Sequence, residues 1–229
     1  MCGIFGSKSF EQFDELYKIN QTRGDFASGH LFVNERGDYE IDKRPGSVTY
    51  DIRTIPHVGT ELAYDMYMGH TQSPTGSVRD YRYDTSHPFQ SSNWIVAHNG
   101  VLNNHQSIID EYFPDHDCDV DSSVIPAFLE YLLRNKPVKG NYELMDNVVS
   151  AVLNRLSGTY AVFIYNKPNK QLYIARCGST LFYNPDECKF SSVKHDKMES
   201  VPECTLYKRV EDRFVKVCNL QNNSSFMIF

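Results

Sequence analysis

The chain has 229 residues, 41% of them apolar, with 23 basic against 29 acidic side chains and a net charge of −6. An apolar share of this size, with only 13 glycines and 10 prolines, excludes a disordered, collagen-like or low-complexity chain. The acidic balance, without any stripe of Lys and Arg, argues against nucleic acid as a partner.

Taken in order, Ile4 to Ser7 reads as a short strand. Phe10 to Ile19 reads as a helix, with Phe10, Phe13, Leu16 and Tyr17 at helical spacing, ending near Thr22. Short β-rich runs at Gly29–Asn34, Asp38–Asp42, Met66–Thr71 and Asn93–His98 predict strands, the first two joined by a turn at Asn34–Asp38. Asp121–Arg134 and Tyr142–Leu156 carry helical apolar faces, and Pro126 falls early enough in the first that its missing N–H is not needed. From Thr159 onward the pattern is of strands again: Tyr160–Tyr165, Leu172–Arg176, Thr180–Tyr183, Phe190–Val193, Thr205–Lys208 and Arg213–Val217. Helices between two groups of strands, with no long linker and no repeat, predict one α+β domain over residues 1–229: two packed sheets covered by helices.

No window reaches the roughly 18 apolar residues of a membrane span, and MCGIFGSKSF has neither the basic region nor the apolar core of a signal peptide. A cytoplasmic protein without membrane contact is expected. The six cysteines lack any CxxC pair, so thiols rather than a disulfide scaffold are expected. No HExxH-type spacing is present among the eight histidines, and the chemistry below calls for neither metal nor other cofactor.

Cys2 follows the initiator methionine, and a small second residue permits removal of Met1. Cys2 would then carry a free α-amino group, whose ordinary pKa of about 7.7–8.0 suits it to take the proton of its own thiol. The alternative is a small buried apolar residue. His98-Asn99-Gly100 follows an apolar run and reads either as a tight turn or as an oxyanion hole, the Asn99 amide and the Gly100 N–H aimed at one point. Asp121 is either a helix cap or a carboxylate holding a substrate ammonium. The stretch Gly69-His70-Thr71-Gln72 through Thr75 and Gly76 ends a strand and opens a long loop running to His87-Pro88-Phe89, either a lid or a solvated connection.

The order of these segments resembles the class II glutamine amidotransferase domains, a family of N-terminal-nucleophile hydrolases. The resemblance is carried by Met1–Gly6, Arg23-Gly24 to Gly29, Gly69-His70-Thr71 to Thr75 and Gly76, His87-Pro88, His98-Asn99-Gly100 with Leu102 and Asn104, Asp121-Ser122, and Ser157–Ala161. It covers residues 2 to 183 and implies a four-layer αββα sandwich. By the resemblance, Cys2 is the nucleophile, with Asn99 and Gly100 as the oxyanion hole. Asp121 and the Gly100 region hold the substrate α-amino group, Thr75 and His87 lie beside the substrate, and Arg23 with Gly24 orders the N-terminus. Two positions depart from the family pattern. Gln72 stands where the family has a carboxylate-binding arginine, and Phe26 where it has an aspartate, with Asp25 one place earlier. Arg79 and Arg82, on the same loop, offer a replacement cation.

The expected activity is glutamine hydrolysis through a Cys2 thioester, with ammonia released to a separate synthetase subunit. Alternatives are a stand-alone amidohydrolase acting on another γ-glutamyl-type amide, and a catalytically silent regulatory domain.

Overall fold

The helical spacing of Phe13, Leu16 and Tyr17 does what amphipathic spacing requires. In the computed structural model, which describes residues 1–45, 64–73, 81–117 and 120–223, these side chains are buried against Phe5, Phe32 and Tyr67. Ser9 caps this helix through its hydroxyl, which accepts from the Gln12 N–H.

In chain order the described residues form β1 (Gly3–Ser7), α1 (Phe10–Asn20), β2 (Ala27–Asn34), β3 (Tyr39–Pro45) and β4 (Tyr64–Gln72). Then follow β5 (Phe89–Gln90), β6 (Trp94–Leu102), α2 (His105–Tyr112), α3 (Val124–Leu133) and α4 (Tyr142–Arg155). The strands β7 (Gly158–Asn166), β8 (Gln171–Cys177), β9 (Phe182–Asn184), β10 (Lys189–Ser191), β11 (Glu199–Ser200), β12 (Thr205–Val210) and β13 (Arg213–Asn219) follow.

These elements fall into two compact units. The first, Met1–Pro88 with Leu181–Ser200, holds an antiparallel sheet in the order β11-β9-β10-β1-β4-β2-β3, with α1 packed on it. Phe5 stacks among Phe13 and Tyr17 at ring distances of 5.3 and 5.9 Å. That placement requires glycine at position 69, where a Cβ would lie 2.4 Å from the Phe5 ring. The second unit, Phe89–Thr180 with Val201–Phe229, holds the sheet β13-β12-β8-β7-β6-β5. Its core is built from Trp94, Val96, Tyr160, Val162 and Ile164 of the sheet and Phe128, Leu129, Val149 and Val152 of α3 and α4.

The α+β class and nearly every expected element are present, including the Asn34–Asp38 turn, where Asn34 bonds Asp38 through both backbone and side chain. Four details differ. The strand expected to end at His98 runs on to Leu102, so Asn99 and Gly100 sit inside a strand and are not a turn: their partners Ala161 and Tyr160 continue the ladder. Asp121–Ser123 forms a separate 3-10 turn before α3, with Val120 rather than Asp121 at the cap position. Helix α2 was not legible, because it buries only Ile108 and Ile109. Finally, Cys177 and Cys204 form a disulfide, contrary to the expectation of thiols throughout. Their separation of 27 residues carries no signal by itself; the antiparallel register of β8 and β12 brings them face to face. Among the described residues no helix is long and apolar enough to cross a membrane.

Phe13 is fully buried and touches Phe5, Phe32 and Tyr67. Phe13→Ala is expected to cost about 3–5 kcal/mol, read as a lowered urea midpoint.

Candidate active site

In the first unit the site residues gather where β1 and β4 begin and end. β1 pairs with β4 through Gly3 and Thr71, so the next step of that register sets Cys2 beside Gln72. The Cys2 thiol is half-buried and points at the Ser73 carbonyl, 3.5 Å away, while its own carbonyl accepts from Arg23 Nε at 2.7 Å. Arg23 reaches further, to the Ser192 carbonyl at 3.5 Å and the Met1 sulfur at 3.8 Å. Burial pulls the Arg23 pKa down, and the Cys2 sulfur acts in the opposite sense. Gly24 lies so close to β4 that a Cβ would stand 2.5 Å from the Gln72 carbonyl carbon. Only glycine fits there. Gln72 is buried, and its Oε1 meets no hydrogen-bond donor among the described residues. His87 is buried with its ring stacked on that of His70, centroids 3.9 Å apart.

Asn20, which sequence reading passed over, anchors this corner. Fully buried at the end of α1, it donates to the Leu16 carbonyl and to Ser191 Oγ, both at 2.8 Å, and its carbonyl accepts from Thr71 Oγ1 at 2.8 Å. The available signal was a polar residue on the apolar face of the helix, in line with Phe13, Leu16 and Tyr17.

In the second unit the corresponding residues cluster on β6. Past Ala97 this strand keeps β7 on one edge, while β5 on the other edge pairs only with Ile95 and Val96. The Leu102 N–H points to that outer edge and donates to Asp121 Oδ2 at 2.8 Å, whose Oδ1 accepts from the Ser122 N–H at 2.8 Å. N–H directions alternate along a strand, so the Gly100 N–H shares the outer edge. Gly100 has φ +152°, and a Cβ there would lie 2.0 Å from the Thr159 carbonyl oxygen. Asn99 is buried beside it. His98 pins the strand from within: Nδ1 is 2.8 Å from Ser122 Oγ and Nε2 is 3.2 Å from the Thr159 carbonyl. A carbonyl only accepts, so the neutral ring carries its proton on Nε2 and takes the Ser122 hydroxyl at Nδ1.

The structure therefore brings Cys2, Arg23, Gly24 and Gln72 together in one unit, and Asn99, Gly100 and Asp121 together in the other. Asp121 is engaged with backbone N–H groups of Leu102 and Ser122. Arg82 is an exposed surface residue paired with Asp84 at 3.3 Å. Thr75 and Arg79 lie outside the described residues.

No family model matches the chain. It is 25% identical over 226 residues to the glutamine–fructose-6-phosphate aminotransferase (isomerizing) of Staphylococcus epidermidis, and equally so over 227 residues to that of Staphylococcus aureus. Each alignment covers 95% of this chain, and the chain spans 36% of the length of these curated relatives. Among solved structures, glutamine phosphoribosylpyrophosphate amidotransferase from B. subtilis superposes with a TM-score of 0.66 at 18% identity, covering 94% of this chain and 48% of that one. The glutamine aminotransferase class-II domain protein from Silicibacter pomeroyi does so with a TM-score of 0.56 at 13% identity, covering 96% of this chain and 100% of that one. The resemblance to class II glutamine amidotransferase domains is thus borne out, as is the α+β class built on two antiparallel sheets.

His98 and His30 are both fully buried, and burial pushes each imidazole pKa down against the opposing pull of Asp121 and Asp42 respectively. In the unfolded chain these rings bind a proton near the ordinary value of about 6.5, so their contribution to stability is complete above that pH and is lost as the pH falls below it. The urea midpoint is expected to drop between about pH 7 and pH 5, with a shallower slope in His98→Asn and in His30→Asn.

Proposed function

We propose that this chain is a class II glutamine amidotransferase domain, a single glutaminase unit over residues 1–229, acting in the cytoplasm. The observation that carries the reading is the hold on Cys2: its carbonyl is clamped by Arg23 while its half-buried thiol stays at the end of β1. Similarity over 95% of the chain to aminotransferases whose names specify glutamine supports the choice of substrate.

In the structure Met1 precedes Cys2, so the Cys2 nitrogen is a peptide amide and no base. Met1 is 74% exposed, open to an aminopeptidase, and the Arg23 contact to the Cys2 carbonyl does not depend on Met1. After its removal the Cys2 amine takes the thiol proton, and the sulfur attacks the side-chain amide carbon of glutamine. The oxyanion is met by the Asn99 side-chain amide and the Gly100 N–H. Collapse expels ammonia, which leaves with the proton held by the amine, and water then cleaves the γ-glutamyl thioester to glutamate. Thiol, amine and N–H donors supply nucleophile, base and electrophile, so no metal or other cofactor takes part. The ammonia passes to a synthetase partner outside these residues.

Gln72 favours a second reading. A buried amide cannot make the charged, bidentate fork that a guanidinium makes with a carboxylate, and its Oε1 meets no donor among the described residues. A γ-glutamyl-type amide lacking a free carboxylate would provide one, making the enzyme a stand-alone amidohydrolase.

Intact mass of the purified protein, with and without 6-diazo-5-oxo-norleucine, tests the first reading. Loss of Met1 and a single covalent adduct are expected. Cys2→Ala should abolish both adduct and hydrolysis while leaving the fold, and Asn99→Ala should cost about 2.7–4 kcal/mol of transition-state stabilisation, about a hundred- to thousandfold in rate. An adduct on Cys2→Ala would move the nucleophile elsewhere. Gln72→Arg is expected to lower KM for glutamine by up to about thirtyfold, since a charged hydrogen bond exceeds a neutral one by up to about 2 kcal/mol. An unchanged KM, with carboxylate-free amides hydrolysed as well as glutamine, selects the amidohydrolase.

A further inference from the structure

Cys177 ends β8 and Cys204 precedes β12, one step beyond the Arg176/Thr205 pair, with Cα atoms 4.6 Å apart. The bridge closes a ring around Leu181–Ser200, the segment that leaves the second unit to supply β9, β10 and β11 to the first. That segment braces the strand of Cys2: Ser192 exchanges hydrogen bonds with Ile4, its N–H to the Ile4 carbonyl at 2.8 Å and its Oγ from the Ile4 N–H at 3.0 Å. The Ser192 carbonyl also receives Arg23.

The two stems of the ring are joined by more than sulfur. Arg176 donates to the Val201 carbonyl and pairs with Glu203 at 3.0 Å, and the other Glu203 oxygen accepts the Gly178 N–H. Arg176 also donates to the Ser179 carbonyl, and the Cys204 N–H to the Arg176 carbonyl. None of these contacts uses a sulfur atom, and the Cα atoms, 4.6 Å apart, lie inside the distance range in which a disulfide forms.

We propose that Cys177 and Cys204 are a reversible two-electron redox site that exchanges with dithiol and glutathione-class thiols, its oxidised form covalently tethering the segment that braces the Cys2 strand. Cys204 is the better point of attack, 7% exposed against 1% for Cys177, whose sulfur lies 3.6 Å from Asn222 Oδ1. A reductant thiolate attacks Cys204 Sγ, forming a mixed disulfide and releasing the Cys177 thiolate. The second reductant thiol displaces Cys204 and becomes the reductant's own disulfide, so two electrons and two protons reach the protein.

The test is differential alkylation with mass spectrometry on the native full chain. In oxidised glutathione Cys177 and Cys204 should be protected together while the partly exposed Cys218 is alkylated. Excess dithiothreitol without denaturant should make both reactive, and re-oxidation should protect them again. Amide exchange in 181–200 should be about tenfold faster in the reduced protein, and equally fast in Cys177→Ser/Cys204→Ser whatever the buffer. If the double variant does not fold, the reduced and oxidised wild type supply the same comparison. A bridge that opens only in denaturant, thiols in oxidised protein, or exchange unaffected by reduction would overturn the proposal. So would protection by stoichiometric zinc removable with EDTA, since Glu203 and both sulfurs place ligand atoms within 4.8 Å of one another.

Discussion

β1 is only five residues long, yet it is held on both edges, by β4 across Gly3–Ser7 and by β10 at Phe5 and Gly6. Everything at the first unit's candidate site follows from that register. It sets Cys2 at the end of β4, brings the α1 terminus with Asn20 over Gly3, and leaves the Arg23 side chain within reach of the Cys2 carbonyl. Glycine at positions 3 and 69 is the steric condition for this arrangement, because Asn20 and the Phe5 ring occupy the space a side chain would need.

The second unit solves a related problem with polar groups. β6 extends past the end of β5, so that beyond Val96 its outer edge carries no strand partner among the described residues. The Asp121 carboxylate satisfies the Leu102 N–H on that edge, and the buried His98 ring ties the strand to Ser122 and Thr159. Buried polar groups are costly when unpaired, so a fully bonded neutral imidazole fixes one geometry for Asn99 and Gly100. The same burial makes that geometry sensitive to acid.

The disulfide links these themes. The chain crosses from one unit to the other twice around Leu181–Ser200, and both crossings are gathered by Arg176, Glu203 and the Cys177–Cys204 bridge.

Local patterns in the sequence determined most of the elements: helical spacing in α1, α3 and α4, β-rich runs bounded by turn residues, and the Asn34–Asp38 hairpin. These depend on neighbours within a few residues, whereas Cys2, Arg23, Asn99, Gly100 and Asp121 became candidates through the order of motifs along residues 2–183 and the family that order resembles. What only the tertiary structure decided depends on register between distant strands. It set the Asn99-Gly100 pair, open along the sequence to a turn or an oxyanion-hole reading, inside β6, gave Asn20 and His98 their anchoring bonds, and set Cys177 opposite Cys204. None of these is visible along the chain, because Ser122, Cys204 and Ser191 lie 24, 27 and 171 residues from His98, Cys177 and Asn20 and meet them only once the ladders have chosen their alignment.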